Sequence, residues 1–373
     1  MRFLIVSHVV HKRVGDQFFA YGPYVKEINL WLKYVGEVIV FAPQVLEQDP
    51  DPIDLPYHHS SIKIVPIPDF DTLSLTSRFR AMGIVPVIFF KLLIQMNRAD
   101  HIHLRCPGNV GLIGCLAQIF FPKKAKSAKY AGNWDPESLQ PLTYRWQRNI
   151  LSNEFLTKNM KVLVYGDWGK KNRNQLSFFT ASYSQKEIEE TAVRVLEAPL
   201  KFIYVGSLHA GKNPMISCLA TKYLVAKGIN CQLHLYGEGS ERSTLENFII
   251  ENRMHDHIIL HGNVDSPTLK NAYQTSHFLL FASDSEGWPK AVAEAMFWGC
   301  VPVTTKVSCV PQMLDYGKRG ELIEKDYVEM AQKIEFLSQN PSLYIQKATL
   351  AMQWSREFTL EKFESEIQKL LLK

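Results

Sequence analysis

Nowhere in this sequence do apolar residues run on for the roughly 18 positions that a helix needs to cross a bilayer. Met1 to Ser7 reads at once as a strand, without the apolar core of a secretory leader, so a protein neither integral to a membrane nor secreted is expected. Cysteine is sparse and unpatterned. Cys106, Cys115, Cys218, Cys231, Cys300 and Cys309 show no C-x-x-C spacing and sit mostly inside apolar runs, which speaks against a disulfide framework or a zinc ribbon and fits reduced core thiols in the cytoplasm. Charge of one sign is also lacking: a formal net charge of +5 over 373 residues is too small to announce nucleic acid. No G-x-G-x-x-G follows the first strand, which argues against a nicotinamide dehydrogenase. Neither a solenoid-period repeat nor a low-complexity tract is present.

What is present is ordinary globular composition, 46% apolar and 21% charged, in a chain long enough for two or three domains. Strand-like runs alternate with helical periodicity. In the first half the runs are Arg2 to Ser7, Glu37 to Phe41, Ile62 to Val65, His101 to Leu104, Ala128 to Ala131 and Val162 to Tyr165. A long loop through His8, His11, Arg13 and Phe18 leads to Gly22-Pro23, which opens a helix, and helical patterns recur around residues 84–96, 110–121 and 142–153. A second series follows: Phe202 to Val205, Gln232 to Tyr236, Ile258 to Leu260, Phe278 to Phe281, Val301 to Thr304 and Glu321 to Ile323. The alternation predicts an α/β fold with parallel sheets. Leu196-Glu197-Ala198-Pro199-Leu200 reads as a hinge, giving domains over residues 1–198 and 199–356 and an amphipathic tail over 357–373.

The chain is organised around Ser285-Glu286-Gly287-Trp288-Pro289-Lys290-Ala291-Val292-Ala293-Glu294, which follows the run Phe278 to Phe281. Pro289 suits the first turn of a helix, and Gly299 suits its end. A helix over about 288–298 would leave N–H groups of Lys290, Ala291 and Val292 free to bind a diphosphate, with Glu286 in the loop and Glu294 on the second turn. Two carboxylates beside a phosphate-binding turn are suited to sugar hydroxyls. By spacing alone the pair reads first as two solvated helix-end acids, since a spacing by itself is a weak signal.

The order and spacing of this segment resemble the donor-site signature of the family 4 retaining glycosyltransferases, in which an E-x7-E pair precedes a helix ending in G-x-P-V; the resemblance runs from about Lys201 to Leu337. It implies the GT-B fold, two Rossmann-like domains facing each other across a cleft with the last helix crossing back to the first. It further implies a nucleotide-diphosphate sugar as co-substrate, retention of anomeric configuration, and neither cofactor nor metal. On the donor side it implies roles for Gly206, Ser207 and Lys212, then Gly237, Gly262 and Asn263, then Glu286, Gly287, Trp288, Pro289, Lys290, Ala291, Val292 and Glu294. Glu286 would hold the transferred sugar and Glu294 the ribose. Ser207 stands where the family carries an Arg, so Lys212 is left with most of the phosphate clamp. Leu235-Tyr236-Gly237-Glu238-Gly239-Ser240 allows close approach of a ligand or, as readily, a helix start capped by Ser240. Asn263 fits a base contact or a plain turn.

On the acceptor side the family's His after a mid-domain strand is missing. Asn133 or Asp135 is expected to stand in, with Arg105 nearby and Gly22 presenting helix N–H groups to the donor phosphate, while His101 and His103 read as core or surface histidines. Asp69-Phe70-Asp71 reads as surface acid and not as a metal site. Arg78, Arg80, Lys123, Lys124 and Lys126 beside Phe89, Phe90, Phe120 and Phe121 read as core helices with solvated ends or as a surface that rests on anionic lipid at the inner face of the plasma membrane. The function implied is transfer of a sugar to a glycan or lipid-linked acceptor in bacterial-type surface polysaccharide or glycolipid synthesis. A catalytically silent scaffold of the same fold and a GT-B sugar-nucleotide epimerase are the alternatives.

Overall fold

The structure, a computed structural model, describes all residues except 47–48, 52, 69–74, 170–171, 190–193 and 373, together with the side chains of 46 and 75–82. Asp69, Phe70 and Asp71, and the side chains of Arg78 and Arg80, therefore lie outside the described residues. The chain divides into two compact units, Met1–Phe179 with Phe363–Lys373, and Thr180–Lys362. Residues 180–198 thus group with the second unit.

The first unit is built on a ten-stranded sheet of β1 (Arg2–Val6), β2 (His11–Val14), β3 (Gln17–Tyr21), β4 (Glu37–Leu46), β5 (Asp54–Pro56), β6 (Ile62–Ile67), β7 (His101–Cys106), β8 (Ala125–Tyr130), β9 (Met160–Tyr165) and β10 (Gln175–Phe178). The order is β10-β9-β8-β7-β1-β4-β2-β3-β5, with β6 also on β4. β1 is apolar and buried on both faces, as the central strand of a parallel sheet must be, and lies between β4 and β7. Helices α1 (Gly22–Leu32), α2 (Leu75–Arg98), α3 (Asn109–Ala117) and α4 (Leu142–Ser152) accompany it. The expected long loop before Gly22 is instead the antiparallel hairpin β2–β3, turning at Gly15 with φ +58°. Its sequence, His-Lys-Arg-Val, has no apolar alternation; the hairpin is held by pairing with a β4 that runs on past Phe41. β8 likewise starts at Ala125, earlier than its apolar content suggests.

The second unit carries a six-stranded sheet, all parallel, of β11 (Leu200–Val205), β12 (Cys231–Tyr236), β13 (Ile258–Gly262), β14 (Phe278–Phe281), β15 (Val301–Thr305) and β16 (Glu321–Ile323). The order β13-β12-β11-β14-β15-β16 reverses direction between β11 and β14. Loops leaving the carboxyl ends of these two strands therefore diverge and leave a crevice, the usual ligand site of an open α/β sheet. The helices are α5 (Pro214–Ala226), α6 (Arg242–Glu251), α7 (Ser266–Thr275), α8 (Lys290–Phe297), α9 (Val310–Met313), α10 (Tyr327–Gln339) and α11 (Pro341–Ser355). α12 (Leu360–Leu371) begins in this unit, and from Phe363 onward groups with the first, where Phe363 packs edge-on against Phe178 at 5.3 Å. The six cysteines are free and buried. Among the described residues no helix is long and apolar enough to cross a membrane.

Candidate functional site

The loop after β11, Gly206 to Asn213, and the loop after β14, Ser283 to Pro289, meet at the point where strand order reverses. Gly211 O accepts from Asp284 N–H at 2.9 Å, and Asn213, in the left-handed region, donates through Nδ2 to Ala282 O at 3.0 Å and to Asp284 Oδ1 at 2.8 Å. Thr305 Oγ1 at the end of β15 donates to Ser283 O at 2.6 Å. This bracing brings two predicted residues together: Lys212 Nζ is ion-paired with Glu286 Oε1, and the ammonium lies 5.3 Å from the Phe281 ring centre. The side chains are 21% and 10% exposed, so the pair is reachable yet largely shielded from water. Ser207 is exposed and adds no charge; its carbonyl accepts from Tyr204 OH at 3.2 Å.

The helix begins two residues later than its sequence suggests, with Pro289 as the N-terminal flanking residue and Lys290 as its first position. Val292 N–H is not free as expected: it donates to Pro289 O at 3.1 Å, because the first turn is tightened to an i to i−3 bond. Gly287 O accepts from Ser308 Oγ at 3.1 Å and Cys309 Sγ at 3.4 Å, and Trp288 stacks on Trp354 at 6.2 Å. Trp288 thus anchors the loop on α11. Glu294 accepts from Ser182 Oγ and, at 3.2 Å, from Tyr273 OH, beside a small niche lined by Thr180, Tyr183 and Phe297. Glu286 and Glu294 hold different partners, and Ser182 and Tyr273 carry no sequence signal because they lie 112 and 21 residues away.

Gly237 and Gly239 serve loop-on-loop packing. A Cβ on Gly237 would lie 2.0 Å from Gly206 O, and one on Gly239 2.3 Å from Leu208 O. Ser240 does not cap α6, whose flanking residue is Glu241. Gly262 takes φ +72° against Glu238, and exposed Asn263 follows it. Beside them the Tyr236 and His261 rings stack at 4.4 Å and 5°, with His234 Nδ1 2.9 Å from His261 Nε2.

In the first unit, Gly22 N–H is already engaged by Ile53 O at 3.0 Å, and a Cβ on Gly22 would lie 2.2 Å from that oxygen; the glycine is there for close approach of the β5 segment, and its amide is not open to a phosphate. Arg105 Nη1 donates to Glu27 Oε1 at 2.8 Å, and fully buried Lys129 donates to Glu27 Oε2 at 2.6 Å. Asn133 Oδ1 accepts from Asp135 N–H, and Asp135 Oδ1 from Glu137 N–H, both at 2.9 Å, so these two side chains shape their own loop. His101 and His103 are core residues sharing Ser127 Oγ at 2.8 and 2.9 Å. Sequence reading missed His8, which follows the central strand β1 and lies 2.8 Å from where a Gly108 Cβ would be. A separation of 100 residues gives no local cue to that pairing. Of the basic tract, Lys124 donates to Asn97 O and Ala99 O, and Lys126 is buried because β8 begins before it, so neither is a free surface cation. Phe90 and Phe120 are exposed and both flank Phe89 at about 6 Å. Among the described residues no group of three or more metal-ligating side chains occurs.

Residues 185–353 match the family of glycosyl transferases group 1. An uncharacterized glycosyltransferase of Haemophilus influenzae is 26% identical over 171 residues, 45% of this chain and 47% of its own length. The matches cover 37 to 47% of the curated relatives' lengths, half or less of each. Among solved structures, HepE of Anabaena in complex with UDP and glucose aligns over 100% of both chains with a TM-score of 0.69 at 13% identity. WaaG, a glycosyltransferase involved in lipopolysaccharide biosynthesis, aligns over 99% of both at 0.64 and 12%. The fold is that of the GT-B glycosyltransferases.

Proposed function

We propose that this protein is a retaining glycosyltransferase that moves a sugar from a nucleotide-diphosphate sugar to a glycan or lipid-linked acceptor, without a metal ion, in surface polysaccharide or glycolipid synthesis. The observation that carries the reading is the Lys212–Glu286 pair at the strand-order reversal of the unit that matches group 1. In this reading the donor diphosphate displaces the pair's mutual contact: Lys212 turns its charge to the departing diphosphate, and Glu286 accepts from hydroxyls of the transferred sugar. The start of α8, from Pro289 and Lys290 on, adds its positive dipole end, and Glu294 with Ser182 and Tyr273 holds the ribose. Asn263, next to the Tyr236–His261 stack, meets the base. On the acceptor side His8 takes the place of the absent mid-domain His, with Asn133, Asp135 and Arg105 shaping and charging the surroundings. Positioning and fixed charge then supply catalysis. The naming of WaaG for lipopolysaccharide biosynthesis supports the surface-glycan setting. The exposed Phe90 and Phe120 next to Lys123 support contact with anionic lipid on the cytoplasmic face of the membrane.

A panel of nucleotide sugars tested first by thermal shift and then by product analysis checks the proposal. One donor is expected to raise the melting temperature and to give a product whose new linkage keeps the donor's anomeric configuration, with turnover unaffected by EDTA. Free epimerised nucleotide sugar without transfer would replace the reading by epimerase chemistry, and absence of any nucleotide-sugar binding would leave a silent scaffold.

A further inference from the structure

The first unit holds a cavity of about 660 Å3 on which five cations converge, Lys123, Lys126, Lys158, Lys161 and Arg173, with one carboxylate, Glu154. Lys126 and Lys161 are second residues of β8 and β9, so the cavity lies at the amino ends of these strands. His8 and Gly108 lie beyond the carboxyl ends of the parallel strands β1 and β7 in the same sheet, the end opposite the cavity. The cavity is therefore separate from the acceptor-side residues, and the donor-side ones belong to the other unit.

One carboxylate, Glu154, stands against the five cations. None of the five cations has an ion-pair partner among the described residues. Glu154 Oε1 accepts from the backbone N–H of Arg173 at 2.6 Å, and Lys158 Nζ lies 4.9 Å from the Phe155 ring centre. Lys126 is 3% exposed, and among the described residues its ammonium donates to the neutral Gln118 side-chain and main-chain oxygens, at 2.8 and 3.2 Å. Burial pushes its pKa down to about 8. An ammonium buried without a counter-charge costs stability, and clustered like charges on a concave surface repel one another while focusing a positive potential into the cavity. A multivalent anion would remove both costs at once. The planar fork of Arg173 suits phosphate oxygens, and the volume is in the range of small-ligand sites.

We propose that this cavity is a binding site for a group carrying two or more phosphates, distinct from the nucleotide-sugar pocket and independent of that assignment. Pro122 lines the cavity and Phe120, two residues earlier, is exposed, so a free polyphosphate and a lipid-borne diphosphate are both sterically served.

The test uses the full chain, calorimetric titration with inorganic tripolyphosphate, and co-sedimentation with phosphatidylcholine vesicles with or without cardiolipin. The double variant K161E/R173E is expected to weaken tripolyphosphate binding at least tenfold, and Lys212→Ala, which removes the donor-side clamp, is expected to leave the component that depends on Lys161 and Arg173 in place. The milder K161Q/R173Q, checked for an unaltered melting temperature, should show a smaller loss in the same direction. Retention on cardiolipin vesicles that falls in step with the double variant supports the site with a lipid source; a variant-dependent loss confined to tripolyphosphate supports it with a soluble one. Wild-type-like binding of both probes by the double variant would overturn the proposal, as would tripolyphosphate binding that Lys212→Ala alone abolishes. That last result would leave the nucleotide-sugar reading standing.

Discussion

On the proposed reading Lys212 bears more of the site's charge than its counterparts in a site with an Arg–Lys clamp would, because Ser207 supplies none. Lys212→Ala is expected to lower kcat/KM by about two to three orders of magnitude, roughly 3 to 4 kcal/mol of transition-state stabilisation, the scale of losing a preorganised donor to a developing negative charge. Near-normal turnover in steady-state kinetics would remove Lys212 from the site. The two glutamates should separate kinetically. Glu286 is paired with Lys212, and on the proposed reading it contacts the sugar on which charge develops, so Glu286→Gln should mainly lower kcat. Glu294 sits among Ser182 and Tyr273 hydroxyls, so Glu294→Gln should mainly raise KM for the donor, since uniform binding moves KM and differential binding moves kcat. Identical kinetic signatures for the two variants would refute the division of roles.

At the scale of elements, the site depends on how loops pack on one another. Gly237 lets the end of β12 lie against the carbonyl of Gly206, and the Gly206–Asn213 loop carries Lys212. Gly237→Ala would place a Cβ 2.0 Å from that backbone oxygen, at a φ of +141° that side chains rarely adopt. A loss of about 2 to 3 kcal/mol is expected from the combined overpacking and strain. Donor affinity should fall with it, because the Lys212 loop must shift. Urea denaturation and a donor titration on the same variant measure both, and an unchanged affinity would mean that the loop position does not matter to the donor.

Across the first unit, buried histidines set an acid limit. Burial holds His11 and His101 down to about 4, against an ordinary value near 6.5. Above pH 6.5 both are neutral whether the chain is folded or unfolded, and their preference is fully present. As pH falls through 6.5 toward 4 the unfolded chain takes up the protons first and stability is lost. Each should cost about 2 kcal/mol by pH 5, from 1.36 kcal/mol per pKa unit. Urea midpoints followed by tryptophan fluorescence are expected to be flat from pH 8 to 7 and to fall between pH 6.5 and 5. A flat profile down to pH 5 would show that these rings are solvated.

The sequence by itself determined the α/β class, because buried parallel strands such as Phe278–Phe281 are continuously apolar and their helices periodic. It also placed Glu286 and Glu294 on a loop and a helix, since Pro289 and Gly299 bracket that helix, although its start at Lys290 lies two residues beyond the one expected. Tertiary structure alone decided partnerships. Lys212 and Glu286 are 74 residues apart and meet only because strand order reverses between β11 and β14. Likewise, the β2–β3 hairpin, the inward turn of Lys126 and the glycine contacts at Gly22 and Gly237 depend on strand register and on backbone from distant segments. Local periodicity carries no information about either.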